Sequence, residues 1–251
     1  MALHVVDAVQ PGGGVVRRLT LDRPERRNAL DPAHLALLRA AIDEASSSTS
    51  GVRVLVISGS PVAFCAGYDL TQRFDPDEPD TLVVETMAAV RACLVPIVAA
   101  VEGACFGAGL ELAISADFRI AGHGARFCLP PAKLGIAYAP QGLARLVQLI
   151  GTTHARRMAF SADVLEAAEA LRIGLVDQLD SDPLVAATSL AERIAAQAPL
   201  AVRHMKRTLN ALEPVSDATH EAQRRALFSS NDAREGVAAF SERRAPRFQG
   251  N

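Results

Sequence analysis

Residues Gly103–Glu111, which read GACFGAGLE, decide the fold of this 251-residue chain together with Phe64–Leu70, which read FCAGYDL. Each stretch follows an apolar, β-branched run and carries small residues where the chain leaves a strand. Small residues let the backbone turn several N–H groups toward one point without side chains in the way. Two such donors aimed at one oxygen are what chemistry through an enolate or a tetrahedral oxyanion requires. We therefore expect each stretch to present a backbone amide to a shared oxygen.

A single carboxylate, Glu111, stands three residues after Ala108. If a helix begins at this glycine-rich turn, residues three apart share a face, and Glu111 lies beside the Ala108 amide. Apolar residues 112–114 follow, so we expect the side chain to be buried, and burial raises the pKa of a carboxyl toward the range useful for proton transfer. The alternative is an acid in the first helical turn that is favoured by the helix dipole. The catalytic interpretation predicts an oxyanion hole with an acid/base next to it.

The chain before residue 140 alternates strands with helices. An antiparallel hairpin is expected first, because Pro11–Gly14 separates Val5–Val6 from Val15–Leu21. Asp31 is expected to cap a helix over residues 32–45. Further predicted elements are strands at 52–58, 96–101 and 118–121 and helices at 82–92 and 110–116. Because the strand runs are continuously apolar rather than alternating, they favour an α/β fold with a buried, largely parallel sheet.

Beyond Leu143 the pattern becomes helical, and we expect no further strand to pair. Helical periodicity covers residues 143–150, 154–160, 164–172, 183–197, 200–212, 216–229 and 232–243. Residues 71–80 are polar and contain prolines, so they are expected to form a mobile loop.

Composition excludes several classes of partner. A net charge of −2 favours neither nucleic acid nor an anionic membrane. The sequence shows no leader pattern and no uncharged apolar run of about 18 residues, so we expect a cytoplasmic protein that does not span a membrane. The four cysteines lack CxxC spacing and lie in apolar runs, which indicates buried, reduced thiols. The six histidines form no cluster with ligand spacing, so no metal site is expected, and a Gly-x-Ser-x-Gly elbow is absent.

Several segments together resemble one known family. They are Leu21–Leu30 (LDRPERRNAL), Val52–Val56, Ala63–Leu70, Pro96–Gly103 and Gly107–Leu112. In order, spacing and number they resemble the enoyl-CoA hydratase/isomerase (crotonase) family over nearly the whole chain. The resemblance implies a crotonase-like spiral of ββα turns over residues 1–195 and a helical oligomerisation region over residues 196–251. It also implies a homotrimer or a dimer of trimers.

The resemblance further implies an acyl-CoA thioester substrate, with CoA as part of the substrate and no separate cofactor. The two oxyanion amides map onto Tyr68 and Ala108, and the general acid/base maps onto Glu111. Family members often bind the CoA portion near the segments matching Arg27–Leu30 and Ala66. On this basis Arg27 (or the adjacent Arg26) meets a phosphate, and Ala29, Ala66 and Gly67 line the substrate site.

One position departs from the family pattern. The family's hydratases use two glutamates, and the second maps onto Pro131, whose side chain cannot relay a proton. Tyr138 lies in the segment that normally faces the acyl group, where it either donates a hydrogen bond or proton, or simply packs. Three functions remain open. They are hydration or double-bond isomerisation by Glu111 alone, decarboxylation or hydrolysis of a CoA thioester, and acyl-CoA binding without catalysis.

Overall fold

A computed structural model describes residues 3–11, 14–47, 49–60, 63–71, 81–211 and 230–246. Within these ranges the strands form two sheets. The larger sheet has the order β1-β2-β3-β5-β7-β10, and it is parallel apart from the β1–β2 pair. Its strands are β1 (Leu3–Val9), β2 (Val15–Leu21), β3 (Val52–Gly59), β5 (Ile97–Val101), β7 (Phe118–Gly122) and β10 (Gln178–Asp180). The hairpin expected at the start of the chain is therefore confirmed.

The smaller sheet has the order β4-β6-β8-β9. Its strands are β4 (Ala63–Cys65), β6 (Ala104–Phe106), β8 (Arg126–Cys128) and β9 (Leu165–Glu166), and the β8–β9 pair is antiparallel. The described helices are α1 (Pro32–Ser46), α2 (Thr81–Ala92), α3 (Ala108–Ser115), α4 (Pro140–Ser161), α5 (Ala167–Arg172), α6 (Pro183–Ala195), α7 (Pro199–Ala211) and α8 (Asn231–Ser241). Successive turns of the chain run β3-β4-α2, β5-β6-α3 and β7-β8-α4, so the expected ββα repeat is confirmed.

The larger sheet is covered on both faces, which explains its continuously apolar strands. One cluster packs Val54, Val98 and Ile120 against Ala187 and Ala191 of α6. The main core lies on the other side and includes side chains from α1, α2 and α3. These layers hold the ends of the central strands, and the turns that follow them, in fixed positions.

Local sequence signals set several helix ends. Asp31 caps α1, because its Oδ1 atom accepts a hydrogen bond of 2.9 Å from the His34 N–H, as the sequence predicts. Helix α3 begins at Ala108, two residues before its predicted start, because Gly107 (φ +53°) forms the N-cap. The two helices predicted over 143–150 and 154–160 form one element, α4, that kinks at Gly151 (φ +73°).

The expectation that no strand follows residue 143 is wrong. Strand β10 pairs in parallel with β7, and β9 pairs with β8 at the edge of the smaller sheet. The helix predicted over 164–172 therefore begins only at Ala167. Strands of two or three residues are too short to show a period of two, so their pairing is decided by distant neighbours. The loop predicted within 71–80, from residue 72 onward, and the helix predicted over 216–229 lie outside the described residues.

Helix α7 is attached to the larger sheet by an ion pair whose lysine is buried. Lys206 Nζ lies 2.7 Å from Asp117 Oδ2 and donates to the Val95 carbonyl at 2.9 Å. Asp117 Oδ2 also accepts a hydrogen bond from the Ile97 N–H at the start of β5. The division of the chain at residue 195 and the oligomeric state stay predictions. No helix within the described ranges has both the length and the apolar character needed to cross a membrane.

Candidate active site

The two glycine-rich stretches are neighbours in space. Gly67 (φ +114°) and Gly107 (φ +53°) both adopt backbone conformations that favour glycine. A Cβ added at Gly67 would lie 3.2 Å from the Phe106 carbonyl oxygen and 3.8 Å from the Ala108 nitrogen. The turn before Tyr68 and the turn before Ala108 are therefore in direct backbone contact.

The direction of the Tyr68 amide follows from its neighbours. The Leu30 N–H donates to the Gly67 carbonyl at 2.8 Å, and the Asp69 N–H donates to the Leu30 carbonyl at 2.8 Å. Successive residues of an extended chain point to opposite sides. Since the Asp69 N–H points toward Leu30, the Tyr68 N–H points away from it.

The Ala108 amide lies at the N-terminus of α3. The N–H groups of a first helical turn have no acceptor within the helix, and they carry the positive end of the helix dipole. The Gly107 N–H donates to the Cys128 carbonyl at 3.0 Å, and the Pro130 ring lies against Gly107. The segment between β8 and α4 thus supports this turn from the side.

Glu111 lies one helical turn beyond Ala108 and is only 4% exposed. Its N–H donates to the Gly107 carbonyl at 2.9 Å, which continues the helix from its cap. A Cβ added at Gly142 would lie 3.0 Å from Glu111 Oε1 and 2.6 Å from Tyr138 Cε1. The carboxylate of α3 and the phenol ring before α4 therefore meet over Gly142, and a larger residue at 142 would collide with both.

Tyr138 has a partly accessible ring and a buried hydroxyl oxygen. That oxygen has no partner of good hydrogen-bond geometry among the described residues. Burial raises the pKa of Tyr138 well above its ordinary value, and the charge and close approach of Glu111 raise it further. The phenol therefore keeps its proton and is a buried donor beside the carboxylate.

Two arginines hold the far end of the helix that carries Glu111. Arg91 Nη1 of α2 donates to Ser115 Oγ at 3.4 Å, and Arg145 Nε of α4 donates to the Ile114 carbonyl. Cations at the C-terminus of a helix are favoured by its dipole. Helix α3 is therefore fixed at its C-terminal end by side chains and at its N-terminal end by the two turns.

The segments expected to hold the CoA portion run side by side. The Ala66 N–H donates to the Arg27 carbonyl at 3.0 Å, and the Leu30 N–H donates to the Gly67 carbonyl at 2.8 Å. The Arg27 side chain is exposed, whereas Ala29 is partly buried. The predicted substrate-binding residues at 27, 29, 66 and 67 thus lie on two adjacent segments that meet at the turn of Gly67.

The sequence assigned no role to Asn28, yet this side chain holds the two segments together. Asn28 is 1% exposed and has a left-handed backbone (φ +58°). Its Nδ2 atom donates to the Ala63 carbonyl at 2.6 Å, and its Oδ1 atom accepts from the Arg23 N–H at 2.8 Å. Its position inside a recognisable motif was the only available signal. The sequence also assigned no role to Gly142, which stands just before the helix predicted over 143–150.

Pro131 begins a 3-10 turn, Pro131–Leu134, and is partly buried. Its carbonyl accepts a hydrogen bond from the Ile136 N–H at 3.1 Å, while the preceding Pro130 contacts Gly107. The segment therefore lies next to the turn at Gly107 but supplies no titratable side chain at position 131. No group of three or more His, Cys, Asp or Glu residues in the described parts of the chain is placed to hold a metal ion.

Two sheets, successive ββα turns and a buried carboxylate beside two adjacent backbone turns define the crotonase class of fold. The model of the family described as enoyl-CoA hydratase/isomerase matches residues 12–251. The chain therefore belongs to the enoyl-CoA hydratase/isomerase family.

Individual relatives agree with this assignment. A probable enoyl-CoA hydratase of Mycobacterium leprae (strain TN) is 38% identical over 242 residues, covering 94% of this chain and 96% of that protein. The 2,3-dehydroadipyl-CoA hydratase of Escherichia coli (strain K12) is 38% identical over 241 residues, covering 92% of this chain and 94% of that protein. A solved structure of a methylmalonyl-CoA decarboxylase is similar with a TM-score of 0.87 at 25% identity, covering 100% of this chain and 99% of that one.

Proposed function

We propose that the protein binds an acyl-CoA thioester and stabilises its enolate with the Tyr68 and Ala108 N–H groups, while Glu111 transfers the proton. The observation that carries this proposal is the direct contact of the two turns, with a buried carboxylate one helical turn from Ala108. Donors fixed in advance at the oxygen where charge develops lower the barrier without reorganising during the reaction.

Isomerisation of a double bond needs only one base. Glu111 removes a proton from C2 of a 3-enoyl-CoA, and the electron pair moves into the thioester carbonyl to form the enolate. The same carboxyl then returns the proton at C4, which leaves the 2-enoyl-CoA. Both carbons lie near the carbonyl held by the amides, so one carboxylate suffices.

Hydration of a 2-enoyl-CoA also requires that a water molecule be positioned. Pro131 contributes no side chain for this task, whereas the Tyr138 hydroxyl is buried beside Glu111 and retains its proton. In this proposal Tyr138 orients the water and Glu111 takes its proton as oxygen bonds to C3. The enolate formed at C2 then receives a proton from the protonated Glu111.

Decarboxylation of a CoA thioester is the second candidate function. The similarity to methylmalonyl-CoA decarboxylase and the loss of the second carboxylate at Pro131 favour it. The chemistry needs the oxyanion hole and a proton, because CO₂ leaves its electron pair in the enolate and C2 then takes a proton from water. The negative charge of Glu111 counts against it, since a buried carboxylate repels a second one.

Turnover assays separate these candidates. The purified protein is incubated with crotonyl-CoA, 3-hexenoyl-CoA, 2,3-dehydroadipyl-CoA and methylmalonyl-CoA, and products are followed by liquid chromatography. We expect turnover of a 2-enoyl or 3-enoyl thioester and a loss of about 10³-fold in Glu111→Gln. Glu192→Gln, which changes an exposed glutamate of α6, is the matched control and should keep full activity.

Other assay results would favour a different function or contradict the role of Glu111. Release of CO₂ from methylmalonyl-CoA, with the enoyl thioesters unchanged, assigns the protein to decarboxylation. Binding of the thioesters without turnover of any of them supports an acyl-CoA-binding role and contradicts catalysis. An undiminished rate in Glu111→Gln contradicts the role given to that carboxylate.

A further inference from the structure

A buried thiol lies beneath both oxyanion turns. Cys65 is the last residue of β4 and is fully buried. It pairs in register with Cys105 of β6, the strand that leads into the second turn. Cys65 is therefore placed where the two turns approach each other.

The thiol of Cys65 is hydrogen-bonded to the first turn. Its Sγ atom accepts from the Gly67 N–H at 3.4 Å and donates to the Gly67 carbonyl at 3.7 Å. The same carbonyl accepts the Leu30 N–H. Because Gly67 directly precedes Tyr68, the position of the sulfur fixes the peptide that leads into the first oxyanion amide.

The second turn rests on the same cysteine. A Cβ added at Gly109 would lie 2.4 Å from the Cys65 carbonyl oxygen, 2.7 Å from its Cβ and 2.9 Å from its Sγ. Gly109 directly follows Ala108, and its carbonyl accepts a hydrogen bond from Cys105 Sγ at 3.5 Å. Cys65 thus contacts the residue before one oxyanion amide and the residue after the other.

We propose that Cys65 is a positioning residue that sets the separation of the Tyr68 and Ala108 amides. This inference rests on the proposed function, in which those amides bind the thioester oxygen. The thiol acts through the backbone and does not touch the substrate. Its volume determines how closely α3 approaches the first turn, and its two hydrogen bonds determine the orientation of Gly67.

The properties of the thiol fit a positioning role better than a reactive one. Burial raises the pKa of Cys65 to about 12, so the sulfur keeps its proton and remains a donor to Gly67. A nucleophilic cysteine needs a low pKa and access to solvent, and this residue has neither. Serine at this position would keep a hydrogen-bond donor, but its Cβ–O bond is shorter than the Cβ–S bond of cysteine. Alanine would remove the sulfur atom that contacts both turns.

The test uses a bound chromophore rather than turnover. The absorption of 4-dimethylaminocinnamoyl-CoA moves to longer wavelength as its thioester carbonyl is polarised, so the shift reports the two amides directly. We compare the wild type with Cys65→Ala, Cys65→Ser and Cys93→Ala. Cys93 is a second buried thiol, which lies beyond α2 and accepts a hydrogen bond from Ser46, so it is the matched control. Thermal unfolding and the dissociation constant of the probe are measured for each variant.

We expect both Cys65 variants to lose more than half of the red shift and to bind the probe within about threefold of the wild type. The corresponding kcat should fall by about tenfold or more, because displacement of about 1 Å in an active site costs up to about 10²-fold. Cys93→Ala should keep the full shift.

If Cys65→Ala does not fold, Cys65→Ser carries the test alone. A full red shift in folded Cys65 variants overturns this inference and leaves the proposed function intact. A bound probe without any shift in the wild type overturns both.

Discussion

One half of the site consists of backbone groups and the other half consists of side chains. The half proposed to bind the oxyanion consists of backbone, namely the turns at Gly67 and Gly107 and the first turn of α3. The acyl half consists of side chains, Glu111 and Tyr138, that meet over Gly142. Backbone packed this closely tolerates little change, whereas the ends of side chains can be displaced while the backbone stays in place. In the proposed function, the first half defines the intermediate that the protein stabilises, and the second half defines the reaction that follows.

The largest expected effect comes from breaking the backbone half with Gly109→Ala. The added Cβ meets the backbone and side chain of Cys65 at 2.4–2.9 Å, and neither can move without the turns. We expect a loss of about 1–3 kcal/mol of unfolding free energy together with weaker acyl-CoA binding and activity. Gly124→Ala is the control, since its nearest neighbour, Glu102, lies at an ordinary 3.7 Å. Denaturant unfolding and titration with acyl-CoA measure both effects, and wild-type values for Gly109→Ala would contradict the packing described.

The matching change in the side-chain half is Gly142→Ala. Here the added Cβ meets the ends of two side chains, Tyr138 Cε1 and Glu111 Oε1, which can be displaced. We expect stability and acyl-CoA affinity close to those of the wild type, with kcat reduced by about 10- to 100-fold because the proton-transfer groups are misplaced. Steady-state kinetics beside the same Gly124→Ala control measure this. Equal losses of affinity and kcat would remove the distinction between the two halves.

A smaller and more selective effect is expected for Tyr138→Phe. Removing the hydroxyl should lower hydration by about tenfold or more and leave double-bond isomerisation nearly unchanged, because only hydration needs an oriented water. The hydroxyl is buried beside Glu111, whose close approach raises its pKa, so its loss should change the free energy of unfolding by no more than about 3 kcal/mol. Parallel assays of both reactions with thermal unfolding check this, and equal losses in both reactions would contradict the role given to the phenol.

The smallest expected effect is a dependence on pH. The pKa of Tyr138 is raised well above its ordinary value, by burial and then by Glu111, so the folded protein holds this proton at a pH where the unfolded chain has lost it. The stability linked to this group is therefore complete below about pH 10 and falls at higher pH. Activity should show no descending limb from Tyr138 below about pH 10. A limb below that value that disappears in Tyr138→Phe would contradict the assignment.

Much of the fold is readable from the sequence because its signals are local. The cap at Asp31 and the apolar runs of β3 and β5 depend on neighbouring residues, and both are found where they were predicted. The pairing of β9 and β10 was missed because strands so short have no period of their own. These two strands are held by partners far away along the chain.

The site likewise combines features that neighbouring residues predict with contacts between residues far apart in the sequence. Small residues after apolar runs predict the turns at Gly67 and Gly107, and helical spacing predicts the position of Glu111. The contacts of Gly142 with Tyr138 and of Gly109 with Cys65 join residues that no local pattern connects. Their importance appears only when the packing is known.

In the proposed function, two backbone amides and Glu111 form and reprotonate a thioester enolate. The most direct measurement follows butyryl-CoA in D₂O by proton NMR, because this saturated thioester can form the enolate but cannot be hydrated or isomerised. We predict that the wild type exchanges the C2 protons for deuterium and that Glu111→Gln does not, although both bind the thioester. Tight binding of butyryl-CoA by the wild type, with its C2 protons fully retained, would contradict the proposed enolate chemistry.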